Sequence, residues 1–98
     1  MIYLWLDDVR PMPFSFTHHA KTAQEAIEIL KTKQVIECSL DHDLGDGCGT
    51  GYEVAKWIEE QAHFGLLPQL VCYIHSQNSV GVENMNMAIQ SAYKAWEN

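Results

Sequence analysis

The sequence predicts one α/β domain over residues 1–98, with about four mostly parallel strands and three helices arranged in three layers. Apolar runs of strand length alternate with segments of helical spacing, and the connections between them are long enough for crossovers. The first run, Ile2–Leu6, is apolar at every position, which is typical of a strand buried on both faces of a parallel sheet. We expect this strand to lie in the centre of the sheet.

Each predicted strand ends at residues that interrupt regular structure. Ile2–Leu6 stops at an Asp-Asp pair followed by a turn with two prolines, which exclude a helix interior there. A short second strand is predicted around Phe16–Ala20. The third and fourth strands are predicted over Val35–Leu40 and Leu70–Ile74, and polar residues follow both of them.

The three helices are predicted from capping signals and apolar spacing. Thr22 with Glu25, and Thr50 with Glu53, form T-x-x-E capping boxes that precede apolar residues at helical spacing. Gly65 is placed to end the second helix. The third helix is predicted from apolar residues that keep helical spacing toward the carboxyl terminus, namely Met85, Ala88, Ile89, Ala92 and Trp96.

Composition excludes several classes of protein. The chain has 13 acidic and 6 basic residues, a net charge of −7, so a basic surface for extended duplex nucleic acid is not expected. A single-stranded end, or a nucleotide held through a metal, is compatible with this charge. No apolar run approaches the ~20 residues that span a bilayer, so we expect a cytoplasmic protein with no membrane partner. Three cysteines without a C-x-x-C pair fit neither a disulfide framework nor a structural zinc site.

Three of the predicted strands end in side chains that can bind a ligand. They are Asp7 and Asp8 after the first strand, Asp41, His42 and Asp43 after the third, and His75, Ser76 and Asn78 after the fourth. Because ligands of open α/β sheets bind outside the carboxyl ends of the strands, we expect these groups to converge. Four carboxylates at one edge repel one another unless a cation lies among them, and oxygen ligands suit Mg²⁺, Mn²⁺ or Ca²⁺ better than zinc.

Several of these residues also have plausible structural roles. Aspartates at strand ends commonly cap turns, and His42 could either orient a ligand or simply end its strand. His75 is a candidate general acid or phosphate ligand. Arg10 could form a surface ion pair or bind two oxygens of a substrate phosphate. The stretch from Ser79 to Asn84 resembles a helix start, whose free N–H groups would bind an anion near His75.

Five motifs carry a resemblance to a known family. They are Leu-Asp-Asp-x-Arg-x-x-Pro from Leu6, Ser-Leu-Asp-His-Asp-Leu-Gly from Ser39, Gly-Tyr at Gly51, His-Ser-x-Asn from His75 and Glu-Asn-Met from Glu83. In these motifs the chain resembles the receiver domains of response regulators, and more closely the small receiver-like family described as cyclic-phosphate-processing receiver domains. The resemblance spans nearly the whole chain. It implies a compact receiver-like, flavodoxin-like fold.

The resemblance also implies a site and a setting. Receiver domains bind Mg²⁺ through an acidic pair and a strand-end aspartate that accepts a phosphoryl group. The carried-over metal ligands are Asp7, Asp8, Asp41 and Asp43, and the residues around the phosphate are His42, His75, Ser76 and Asn78. The family is thought to act on cyclic phosphate ends of nucleotides or RNA, in RNA repair or in conflicts between phage and host. Two departures argue against signalling: almost no room for a helix between the first two strands, and no fifth strand with its lysine.

The sequence therefore predicts a metal-dependent phosphoesterase that opens or removes a cyclic or terminal phosphate of a nucleotide or RNA end. Mg²⁺ or Mn²⁺ would polarise the phosphoryl oxygens, Asp41 would act as nucleophile or base, and His75 would protonate the leaving oxygen. His42 is a further catalytic candidate. The candidate phosphate-binding residues are Arg10, Ser76, Asn78 and Asn84. Two alternatives stay open: a module that sequesters a cyclic nucleotide without turnover, and a phosphoacceptor receiver.

Overall fold

The computed structural model describes all 98 residues as one parallel sheet with three helices. The elements are β1 (Ile2–Leu6), β2 (His18–Ala20), α1 (Ala23–Leu30), β3 (Val35–Leu40), α2 (Gly51–His63), β4 (Val71–Ile74) and α3 (Ser79–Glu97). The strand order is β2-β1-β3-β4, and every pair is parallel. The predicted receiver-like fold class is confirmed, and β1 lies inside the sheet as expected. None of the helices combines the length and the hydropathy that a membrane span requires.

The helices begin where local capping signals predict. The Thr22 hydroxyl accepts a hydrogen bond from the Glu25 N–H at 3.0 Å and so caps α1. Thr50 caps α2 in the same way, with 3.3 Å to the Glu53 N–H. In α3 the cap is the side-chain oxygen Oδ1 of Asn78, which accepts from the N–H of Gly81 at 2.9 Å. All three caps satisfy backbone donors that the first helical turn leaves free.

All three helices pack on one face of the sheet. Leu4 and Leu6 of β1, with Cys38 and Leu40 of β3, belong to a single buried core that also holds residues of each helix. Helix α3 additionally covers the free edge of β4, where the Tyr93 hydroxyl bonds both the N–H and the carbonyl of Cys72. One contiguous core therefore supplies the apolar burial of the domain.

The opposite face of the sheet has no helix on it. Trp5 alternates with the core leucines of β1, and it is covered instead by Phe16, whose ring centroid is 5.3 Å away. The Trp5 indole N–H donates to the carbonyl of Arg10 at 3.3 Å. The expected third layer is thus formed by the β1–β2 connection, residues 7–17, because that segment is too short and proline-rich for a helix. On the same face Val71 and Tyr73 of the edge strand β4 are exposed.

Candidate active site at the carboxyl edge of the sheet

Backbone hydrogen bonds that continue the ladders of the sheet hold the predicted site residues at one edge. The N–H of Asp7 donates to the Ala20 carbonyl at 3.1 Å, and that of Asp41 donates to the Leu6 carbonyl at 3.0 Å. The N–H of His75 donates to the Leu40 carbonyl, also at 3.0 Å. Asp7, Asp41 and His75 are therefore neighbours at the carboxyl ends of β1, β3 and β4, as the sequence predicted.

Three carboxylates form the acidic centre of this edge. One oxygen each of Asp7, Asp8 and Asp41 can be chosen so that all lie within 4.8 Å of one another. Asp7 is buried, whereas Asp8 and Asp41 are half-buried. Asp43, the fourth predicted ligand, is not part of this group. Its carboxylate contacts His42 and Asn78 instead.

Asp7 is a buried anion held by hydrogen bonds. Its side chain is only 1% exposed, yet both oxygens have partners. Oδ1 accepts from the N–H groups of Val9 at 2.8 Å and Arg10 at 2.7 Å, and Oδ2 lies 3.0 Å from Nε2 of His75. Burial by itself would raise the pKa of Asp7, but the two backbone donors and His75 outweigh it, so the pKa lies below its ordinary value. Asp7 is therefore ionised in the folded protein at neutral pH.

Asp41 has the opposite electrostatic character. Burial raises its pKa, and the negative charge of Asp7 raises it further. Hydrogen bonds from the His42 N–H, at 2.9 Å to Oδ1, and from Ser76 offset this pKa shift only in part. Ionised Asp41 therefore carries an unrelieved repulsion that a cation would remove. An all-oxygen donor set with this charge fits a hard divalent cation such as Mg²⁺ or Mn²⁺.

His75 is held on every side. Its ring stacks on the indole of Trp5, with centroids 3.8 Å apart and planes 4° from parallel. Nδ1 lies 2.7 Å from the Ser39 hydroxyl, while Nε2 contacts Asp7. Burial lowers the pKa of His75, and the partner Asp7 compensates only partly. Both ring nitrogens are therefore occupied inside the protein, which leaves neither free for a substrate.

His42 is held on one side only. Its Nδ1 lies 2.8 Å from Oδ1 of Asp43, and this bond lowers the pKa of the Asp43 carboxyl. The Asn78 amide N–H donates to the same carboxylate at 3.3 Å. Nε2 of His42 has no partner in the protein. The ring packs against Gly81 of α3, where an added Cβ would come within 2.5 Å of the ring carbons.

The four predicted phosphate-binding residues are placed differently. The Arg10 guanidinium is exposed and makes no ion pair, while Ser76 lies beside Asp41. The Asn78 side chain is committed to capping α3 and to bonding Asp43. Asn84 lines a groove of about 290 Å³ between α2 and α3, together with Tyr52. No other predicted site residue lines that groove, so the structure does not bring Asn84 together with the others.

Two residues that touch the site were missed by sequence reasoning. The sequence places Trp5 within the apolar run of β1, and Ser39 enters only as the first residue of a family motif. A signal for Ser39 existed: it is a hydroxyl residue beside Leu40 in an otherwise buried stretch of β3, and such a group requires a hydrogen-bond partner. The stacking of Trp5 on His75 joins two strands that are distant in sequence, and no local pattern indicates it.

The family comparison decides what kind of domain this is. A family model for the cyclic-phosphate processing receiver domain matches residues 2–91. The chain belongs to this family. Comparisons with curated proteins and with solved structures gave no match. The matched segment contains the whole sheet and every candidate site residue, and the family ties this receiver-like domain to cyclic-phosphate processing.

Proposed function

We propose that this receiver domain is a metal-dependent phosphoesterase that opens or removes a cyclic or terminal phosphate on a nucleotide or RNA end. The observation that carries the proposal is the juxtaposition of three carboxylates, from Asp7, Asp8 and Asp41, at the edge of the sheet that also bears His42. An acidic group without a neighbouring proton donor would suit a domain that only binds its ligand. The adjoining imidazole with a free nitrogen adds a group that can transfer a proton.

Asp7, Asp8 and Asp41 would hold the cation. Mg²⁺ or Mn²⁺ bound there supplies Lewis acidity toward the phosphoryl oxygens. The hydrogen bonds to Asp7 keep that carboxylate ionised, so the site is charged before any cation arrives. Asp43, with its carboxylate engaged by His42, serves the imidazole rather than the cation.

The geometry favours His42 over His75 as the proton donor. Both nitrogens of His75 are bonded within the protein, whereas His42 presents Nε2 without a partner. The Asp43 carboxylate beside Nδ1 fixes the orientation of the ring, as a carboxylate does for a catalytic histidine. In hydrolysis, water adds to phosphorus, Asp41 orients it and takes its proton, and the P–O bond to the leaving oxygen breaks as His42 protonates that oxygen.

Two further side chains would bind the phosphate itself. The guanidinium of Arg10 is free of ion pairs and follows the acidic pair by two residues, with its own N–H fixed on Asp7. A planar guanidinium engages two phosphate oxygens at once. Ser76 beside Asp41 offers a hydroxyl donor at the same edge. These contacts would orient the scissile bond between Asp41 and His42.

The test is incubation of the native protein with cyclic nucleotides and with short RNAs ending in a cyclic phosphate, each with and without Mg²⁺ or Mn²⁺. Chromatography of the products should reveal cation-dependent conversion. Asp41→Asn should abolish it, and the matched control Asp46→Asn should not, because Asp46 is an exposed loop residue outside the acidic group. Ligand that is bound and returned intact would replace the enzyme by a sequestering module. A phosphoryl group on Asp41 that hydroxylamine removes would indicate a phosphoacceptor.

A further inference from the structure

A line of hydrogen-bonded side chains lies behind the acidic group, on the sheet face that has no helix. Ser39 contacts His75 at 2.7 Å, and His75 contacts Asp7 at 3.0 Å, while Trp5 stacks on the imidazole. Trp5 and Ser39 are register partners in the adjacent strands β1 and β3. We infer that Ser39, His75 and Trp5 are positioning residues that orient Asp7 and thereby set the affinity of the acidic group for its divalent cation. This inference rests on the cation site of the proposed function.

The hydrogen-bond inventory of Asp7 shows why its orientation matters. An ionised carboxylate offers about four lone-pair positions. The N–H groups of Val9 and Arg10 occupy both positions of Oδ1, and His75 occupies one position of Oδ2. One position on Oδ2 is left for a cation. Asp7 would therefore ligate through a single oxygen, the same oxygen to which His75 donates.

The contact with Asp7 fixes which nitrogen of His75 carries the proton, and the Ser39 hydroxyl complements that tautomer. Because ionised Asp7 can only accept, Nε2 must carry the hydrogen that bonds Oδ2. Nδ1 of the neutral ring then accepts the hydrogen of the Ser39 hydroxyl. With the other tautomer, Nε2 would direct a lone pair at the carboxylate and repel it. Trp5 fixes the plane of the ring, since parallel stacking at 3.8 Å leaves no room to rotate.

The free-energy cost of burying a serine hydroxyl supports a specific role for Ser39. Its side chain is 5% exposed, and a hydroxyl buried without a partner costs free energy that an apolar residue would not. The contact with His75 satisfies it, and no buried side-chain polar atom of the protein lacks a partner. Residues that bond a metal ligand from behind typically change metal affinity by roughly 10- to 100-fold when removed. His75 bonds Asp7 in this way, and Ser39 acts on Asp7 through His75, so we expect the lower end of that range for Ser39.

The experiment measures Mn²⁺ binding by the full chain, with the metal alone and no substrate, by titration calorimetry. Ser39→Ala should weaken Mn²⁺ binding by roughly 10-fold, and Ser39→Thr, which keeps a hydroxyl, should restore most of it. Ser91→Ala is the matched control, because it removes a serine–histidine hydrogen bond, to His63 at 3.0 Å, far along α3. Nitrogen NMR of His75 in the native protein at about pH 8 should show the Nε2–H tautomer.

The outcomes separate this inference from the function on which it rests. If the native protein binds Mn²⁺ but Ser39→Ala binds it equally well, the positioning role is wrong and the proposed function survives. Loss of affinity that Ser39→Thr does not restore would also overturn it, by indicating a packing defect. The Nδ1–H tautomer in the native protein would overturn it without any variant. Native protein that binds no Mn²⁺ would overturn both proposals.

Discussion

The two histidines at the edge of the sheet illustrate how position decides chemistry. Each follows or closely follows a strand, and each contacts an aspartate. His75 is enclosed by Trp5 and Ser39, so its ring can support a neighbour but not reach a ligand. His42 has a free nitrogen and an aspartate with an exposed side chain behind it. Both residues are histidines, so residue type does not distinguish a supporting ring from one that can reach a ligand. The hydrogen bonds that each ring makes do distinguish them.

The first prediction concerns these histidines. His42→Ala should lower turnover by roughly 10² to 10⁴, with substrate affinity almost unchanged, because a proton donor acts in the transition state. His75→Ala should instead weaken the binding of Mn²⁺. Its turnover should fall at limiting Mn²⁺, and saturating Mn²⁺ should restore most of it. Steady-state kinetics at several Mn²⁺ concentrations measures both effects. His63→Ala, an exposed histidine of α2, is the control. Full activity of His42→Ala would refute its assignment.

The second prediction concerns the charge of Asp41. Its raised pKa means that ionising it opposes folding when no cation is present, so Asp41→Asn should raise the melting temperature of the metal-free protein. We expect roughly 1 to 5 °C, since 1 kcal/mol shifts Tm by about 4 to 8 °C for a domain of this size. Mg²⁺ or Mn²⁺ should stabilise the native protein but not the variant. Thermal scans with and without metal measure this. A native Tm that ignores metal would contradict the cation site.

The sequence predicted the site as far as strand ends determine it. Asp7, Asp41 and His75 each follow a strand directly, so a correct strand assignment was enough to bring them together. Asn78 was expected at the phosphate, and the structure places its amide beside Asp43 and His42, where its side chain also caps α3. Asn84 was expected there too, although helical rotation carries it to the α2–α3 groove. The position of Asn84 depends on the geometry of α3, which the spacing of residues within the motif does not determine.

At the scale of elements, local signals predicted which segments form helices and strands, but not how far each strand is buried. The capping boxes of α1 and α2 depend on residues three apart, and both caps are present where predicted. The strand β4 was predicted from an apolar run, yet Val71 and Tyr73 are exposed because β4 is an edge strand with one uncovered face. An apolar sequence indicates a strand, but its neighbours decide how far it is buried.

The third prediction concerns the contact between Gly81 of α3 and the ring of His42. In an exposed helix, Gly→Ala stabilises by about 1 kcal/mol. At Gly81 the new Cβ would lie 2.5 Å from the His42 ring, so Gly81→Ala should displace the ring and disrupt its bond to Asp43. Turnover should fall by at least about 10-fold, which corresponds to a rise of about 1.4 kcal/mol in the activation barrier. Kinetics measures the loss, and Gln90→Ala on the exposed side of α3 is the control. Unchanged turnover would contradict the proposed position of His42.

At the scale of the molecule, the proposed function requires an acidic protein to bind an anionic substrate. The net charge is −7, and only Arg10 among the basic residues follows the acidic pair of β1 closely. A phosphate approaching this edge is therefore repelled unless a divalent cation reverses the local charge. The fold also confines the site to a narrow edge, because helices occupy one face of the sheet and residues 7–17 cross the other. Recognition should accordingly be limited to the end of a chain.

The fourth prediction follows from that charge distribution. Binding of RNAs that end in a cyclic phosphate should depend on the divalent cation and hardly on RNA length. Each phosphate neutralised by a protein cation steepens the dependence of log K on log salt by about 0.7 for single strands. With Arg10 as the one cationic side chain proposed at the phosphate, the slope should stay near that of one contact. Fluorescence anisotropy with His42→Ala, across RNA lengths and salt concentrations at fixed Mn²⁺, measures it. Affinity that grows with each added nucleotide would contradict end recognition and require a basic surface that the chain's composition does not favour.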